Sequence, residues 1–171
     1  MTRLYGRAFG KERVIDYVPD VRFDRLSILS SMRLDGTLVP LTYKGTLDGT
    51  LFLAYIRECL APTLKVGDIV IMDNASPHKV KGVVDAIEEK GAYVLWLPIY
   101  SLDLNPVEQL WSKVKAHLRK IKARTPDSLC IALKDALDAV SLSDIKAWFG
   151  ITEINFQSKR KMIESKHEKH I

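Results

Sequence analysis

The feature that most constrains this chain is the run Asp68-Ile69-Val70-Ile71-Met72-Asp73, four apolar residues in a row closed by an acid. A continuous apolar run of this length is the pattern of a strand covered on both faces, which is how strands of parallel sheets sit. Asn74-Ala75-Ser76-Pro77 follows at once and is a turn by composition. A second such run, Tyr93-Val94-Leu95-Trp96-Leu97, is stopped by Pro98. Between the two lies a helical pattern over about 78–90, with Val80, Val83, Val84 and Ile87 on one face and Gly91 as its stop. Two buried strands joined by a helix predict a right-handed crossover and a partly parallel sheet.

The rest of the chain fits around that unit. Phe23 to Met32 and Leu38 to Tyr43 read as the strands of a hairpin about the turn Asp35-Gly36. Residues 1–20 read as loop or a short edge strand. A helix opens at Asp48-Gly49-Thr50, repeats Leu51, Tyr55, Cys59 and Phe52, Ile56, Leu60, and ends at Pro62. A third helix starts at Asn105-Pro106 with Leu110, Trp111, Val114 and Leu118 as its core stripe. A fourth covers about 126–140, and a short last helix covers Ser143 to Phe149. The order is β-β-α-β-α-β-α-α with that short helix appended, and the boundary falls before a tail starting at Gly150.

Composition excludes several classes. At 47% hydrophobic and 27% charged the chain is an ordinary globular protein. No apolar run approaches the roughly 18–20 residues that cross a bilayer, and Met1 to Arg7 has no apolar signal core, so a cytoplasmic location without membrane contact is expected. Cys59 and Cys130 fall in apolar helical patterns and read as two reduced, buried thiols. No Cys/His spacing of zinc type is present, and no Gly-rich phosphate loop supports a doubly wound domain for a small phosphorylated ligand. The net charge of +5 permits nucleic-acid binding. Residues 158–171 hold five Lys/Arg and two Glu, so much of that excess sits in the tail.

Two acids stand out by position. Asp73 ends a buried strand, where ligand sites of open α/β sheets lie, although an Asp there also suits the start of a turn. Glu108 falls on the first turn of the third helix, where an acid has the ordinary role of capping-box partner to Asn105. Taken together, the crossover sets the two strand ends side by side and lets both acids face one site. Carboxylates so gathered bind hard divalent ions such as Mg²⁺, and a pair of such ions supports phosphodiester transfer.

At this point the residues resemble a family. Val70 to Lys79 (VIMDNASPHK) is similar to the second-Asp motif of mariner-like insertion-sequence transposases, the DDE endonucleases. Leu97 to Trp111 (LPIYSLDLNPVEQLW) is similar to the motif around their catalytic Glu, and the 34 residues between Asp73 and Glu108 agree with the family's two-Asp-one-Glu spacing. Arg3-Leu4-Tyr5-Gly6-Arg7-Ala8 resembles the stretch that follows the family's first catalytic strand. The resemblance covers about residues 1–149, leaving 150–171 as a basic, flexible tail. It implies an RNase H-like mixed sheet flanked by helices, Mg²⁺ or Mn²⁺, and cutting and joining of DNA at element ends. Asp73 and Glu108 carry over as catalytic metal ligands, with Asn74 and His78 in support. The DNA partner, transposon ends and target, would meet Lys79, Lys81, Lys113, Lys115 and Arg119, and also Lys120 and Lys122.

The chain also departs from the family's pattern. The first Asp would fall before Met1, since Asp16, Asp20, Asp24 and Asp35 come too late. No helix-turn-helix region precedes the domain, so recognition of specific element ends is not expected. The usual Pro-Pro-Tyr-Ser-Pro run reads Pro98-Ile99-Tyr100-Ser101-Leu102. The resemblance then predicts a sheet lacking its first central strand. A copy of the chain, or an upstream transposase segment, becomes the expected protein partner. The alternative to an active enzyme is a non-catalytic DNA-binding or subunit-pairing remnant.

Overall fold

The computed structural model describes residues 26–98, 104–123 and 125–151. The readings made for residues 1–25, for Ile99 to Asp103 and for the tail after Ile151 lie outside the described residues. Within them the order is β1 (Leu26–Met32), β2 (Leu38–Lys44), α1 (Gly49–Tyr55), β3 (Ile69–Met72), α2 (Val83–Glu88), β4 (Tyr93–Trp96), α3 (Val107–Ile121), α4 (Pro126–Asp138) and α5 (Leu142–Ile151). α5 continues through Gly150.

β1 and β2 form the antiparallel hairpin, with Leu29 opposite Leu41 and Met32 opposite Leu38. Gly36 takes φ +98°, a conformation that disfavours any side chain, and Asp35 accepts from the Thr37 N–H at 2.9 Å. β3 and β4 pair in parallel, Ile69 with Tyr93 through Met72 with Trp96, as the crossover reading requires. The described strands form two separate two-stranded sheets, β1-β2 and β3-β4.

Helices cover the sheets in layers. Phe52, Tyr55, Ile56 and Leu60 pack with Met72, Val83, Ile87 and Ala92 in a first core, joined by Leu29, Val39 and Leu41 from one face of the hairpin. Leu110, Val114 and Leu118 of α3 pack with Ala132, Leu133 and Ala136 of α4 in a second. That core takes Ile28, Met32 and Leu38 from the opposite face of the hairpin. The alternation of a strand thus feeds two cores from one hairpin.

Four expectations need correction. The first helix does not run as one regular helix to Pro62: after Tyr55 it widens into a π-helical segment, Ile56–Leu60, and then tightens into a 3₁₀ turn, Ala61–Thr63. The helix after β3 is shorter than its apolar pattern. Residues Ser76–Lys79 make a single 3₁₀ turn and α2 begins only after Gly82, at φ +94°. Val80 is therefore off the core stripe and partly exposed, and it packs over Gly49, where a Cβ would meet its Cγ2 at 2.0 Å. Cys130 is exposed and Cys59 half-buried, because Cys130 falls on the outer side of α4; both are unpaired thiols. Ile69, Val70 and Ile71 are half-buried rather than fully covered, because the edge of β3 away from β4 borders a cavity.

Candidate active site

β3 delivers Asp73 to the mouth of a cavity of about 610 Å³ that lies between the two sheets. The Asp73 carboxylate turns back on its own loop, and Oδ1 accepts from the Ala75 N–H at 3.0 Å. The turn-starting role open to any Asp before such a sequence is therefore filled, by one oxygen. The His78 Nδ1 stands 2.7 Å from the same Oδ1, brought there by the 3₁₀ turn that Pro77 opens. The imidazole is itself held against the Phe52 ring, with centroids 4.2 Å apart and planes tilted by 34°. The Asn74 side-chain amide donates to the Leu97 carbonyl and so ties the end of β3 to the end of β4.

Glu108 reaches the same cavity from the first turn of α3. The cap of that helix falls on Pro106 rather than on Asn105 and has no side-chain cap bond; the Asn105 Oδ1 accepts from the Val107 N–H at 3.3 Å one residue ahead of it. Among the described residues no capping-box bond runs from Glu108 back to Asn105. The ordinary role that the sequence allows Glu108 is thus not the one it takes. A capping box does exist at the next helix, between Thr125 and Ser128.

The cavity therefore gathers Asp73, His78 and Glu108, which lie 35 positions apart at their extremes. Asn74 is placed behind them as a brace. Among the described residues no group of three or more His, Cys, Asp or Glu is set to hold a metal ion. The donor chemistry that is present fits a hard divalent cation. Glu108 has no bonding partner among the described residues, and Asp73 keeps Oδ2 clear of both the Ala75 N–H and His78.

The basic residues divide. Lys79 and Lys81 are exposed beside the His78 turn, and Lys115 and Arg119 are exposed on α3. Lys113 is drawn into an ion pair with Asp144 of α5 at 2.5 Å, which ties up its charge. Lys120 is exposed, and Lys122 ends α3 at φ +54°. Sequence reasoning missed two participants. Phe52 reads as a plain core residue of a helical stripe, and nothing in its spacing marks it as the support of His78. Arg33 and Asp68 form a bidentate pair, Nη1–Oδ2 at 2.7 Å and Nη2–Oδ1 at 3.1 Å, across the end of the cavity remote from Asp73. Their separation of 35 positions gave no local signal.

The chain matches the family model of the DDE superfamily endonuclease over residues 2–130 and belongs to that family. Its α/β architecture is of the RNase H-like kind that such endonuclease domains have. It is also similar to the transposable element Tcb2 transposase of Caenorhabditis briggsae, with 26% identity over 113 residues. The match takes in 66% of this chain and 40% of the relative, so the chain spans about two fifths of the length of that curated relative. Together these make it a DDE endonuclease domain of the transposase type. No helix among the described residues is long and apolar enough to cross a membrane.

Proposed function

We propose that this chain carries out metal-dependent cleavage and transfer of DNA strands in the transposition of an insertion sequence, with Asp73 and Glu108 holding Mg²⁺ or Mn²⁺. The observation that carries the reading is the convergence of Asp73 and Glu108 on one cavity from separate elements, inside the segment that matches the endonuclease family. Residues 1–151, to the end of α5, act as the catalytic domain and the residues after it as a basic tail, in the cytoplasm.

Each residue has a physical task. Asp73 offers the oxygen its turn does not use, and His78 and the Ala75 N–H fix the direction of that carboxylate. Phe52 holds the imidazole from behind. Glu108, rigid on a helical turn, offers a second carboxylate. Bound divalent ions supply charge neutralisation at the scissile phosphate and a more acidic attacking water. Lys79, Lys81, Lys115 and Arg119 hold the DNA backbone by phosphate contacts without reading sequence.

The test is nicking of supercoiled plasmid with Mg²⁺ or Mn²⁺, read by gel. The expected result is metal-dependent nicking that chelation stops and that Asp73→Ala and Glu108→Ala each abolish. His78→Ala should cost only about 10–100-fold, as loss of a partner that orients a metal-holding carboxylate does. Nicking that survives both carboxylate substitutions would reject the assigned site. A folded chain that binds DNA and nicks with neither metal would be the non-catalytic remnant.

A further inference from the structure

The segment that joins β3 to α2 lies along one side of α1. His78 stacks on Phe52. Val80 covers Gly49. Gly82 comes against Leu53 and Arg57, whose Cδ1 and Nη2 would stand 3.6 Å and 3.4 Å from a Cβ at that glycine. Gly49, Leu53 and Arg57 follow one another at intervals of four, and Phe52 is three on from Gly49, so all four lie on one side of the helix. Arg57 belongs to the π-helical segment that continues α1. The connection is thus seated on α1 by one contact after another.

The tightest of these contacts has no local cause. Gly49 is the first residue of α1, and Asp48 caps the helix by accepting from the Leu51 N–H at 2.8 Å. The backbone of Gly49 is not in the left-handed region that favours glycine. A helical turn on its own gives glycine no advantage over alanine. What the position lacks is room. A Cβ built there would fall almost on the Val80 Cγ2 and 3.2 Å from the Val80 Cβ. The methyl group of one residue fills the place of the other's missing side chain.

Val80 directly follows the 3₁₀ turn Ser76–Lys79 and is its C-cap, two residues from the imidazole. That turn has little of its own to hold it. The His78 N–H donates to the Ala75 carbonyl at 3.0 Å, and no side chain caps the turn. Its depth is therefore set from the α1 side, at Gly49 under Val80 and at Phe52 under His78. The 2.7 Å contact of the His78 Nδ1 with the Asp73 Oδ1 depends on that depth.

We propose that Gly49 and Val80 are positioning residues of the candidate site. Their contact fixes how deeply the His78 turn sits on α1, and through it the imidazole that directs the Asp73 carboxylate, a role that rests on the nuclease reading of Asp73. Neither residue touches the reacting atoms. They act through His78, and a misplacement of about 1 Å at a reacting group costs on the order of 100-fold in rate.

The experiment compares the full chain with Gly49→Ala, Val80→Ala and the double variant. Two quantities are read: the displacement of the His78 ring protons by the Phe52 ring in NMR at fixed pH, and metal-dependent plasmid nicking. Gly49→Ala sets a methyl where the Val80 Cγ2 stands, so the ring protons should leave their native positions and nicking should fall about tenfold. Val80→Ala empties the seat without a clash and should cost about threefold, with part of the displacement lost. In the double variant the methyl added at position 49 takes the place that Cγ2 vacates, and both readouts should return to within about twofold of the native chain. Native ring shifts in Gly49→Ala overturn the proposal, even where its thermal midpoint falls. A double variant no better than Val80→Ala overturns it too, and this comparison decides alone if Gly49→Ala does not fold. Ring shifts lost and regained across the series in a chain that never nicks would uphold the seat and reject the nuclease reading instead.

Discussion

At the level of single residues, Tyr55 shows how a side chain settles what backbone pairing leaves open. Its hydroxyl accepts from the Ser31 N–H at 2.7 Å and donates to the Val39 carbonyl at 2.8 Å, so it bridges both strands of the hairpin from beneath. Burial raises its pKa, keeping the group neutral and able to donate. Tyr55→Phe should leave both backbone groups short of a partner and cost about 1–3 kcal/mol, measured as a lower urea midpoint with an unchanged slope. Asp73 and Glu108 are instructive at the same scale. Each was visible in the sequence with an ordinary role beside a functional one. Asp73 takes its ordinary role and still keeps one oxygen, whereas Glu108 makes no capping bond among the described residues, the cap of α3 falling on Pro106. Phe52 was not legible, because a ring stacked on an imidazole leaves the same periodic trace as a ring in a core.

Among the elements, α3 carries the most information. With 3.6 residues per turn, Glu108, Lys115 and Arg119 fall on one stripe, about 120° from the buried line of Leu110, Val114 and Leu118. The stripe leads from the cavity outward for about 16 Å along α3, at 1.5 Å per residue. Phosphates passing the site would meet it. Lys115→Ala/Arg119→Ala should therefore weaken plasmid binding for all sequences alike. It should also reduce the magnitude of the salt slope of log K by about 2, read by anisotropy titrations at several salt concentrations. Lys113→Ala should change that slope far less, since Asp144 already neutralises it. Helices and strands were legible wherever apolar period and stop signals agreed, as at Asn105-Pro106 for α3. They were misjudged where a helix changes pitch. The apolar period continues past Tyr55 into a π-helical segment, and the pattern from 78 to 90 hides a break at Gly82.

For the molecule as a whole, the two sheets meet through few polar ties, and Arg33–Asp68 is the clearest. Burial pushes the Asp68 carboxyl up, but bonds from Arg33 and from the Lys65 N–H pull it below its usual range on balance. The Asp35 carboxyl, bonded to Thr37, is lowered to about 2. Both folded values lie under the unfolded value near 4. Their contribution is therefore complete above about pH 5 and is lost as pH falls through 4 toward 2. Urea midpoints should fall across that window, and Asp68→Asn and Asp35→Asn should each flatten part of the decline. The pairing of β3 with β4 was legible from two apolar runs and a helix between them. The cavity beside β3 was not legible from the residues themselves, because a half-buried strand and a fully covered one have the same composition. The hairpin has a last consequence. Its odd residues enter one core and its even residues the other, so neither core keeps all its parts if the hairpin opens. The two halves of the molecule are thus obliged to melt in a single transition, with the amides that bond across the hairpin among the last to exchange.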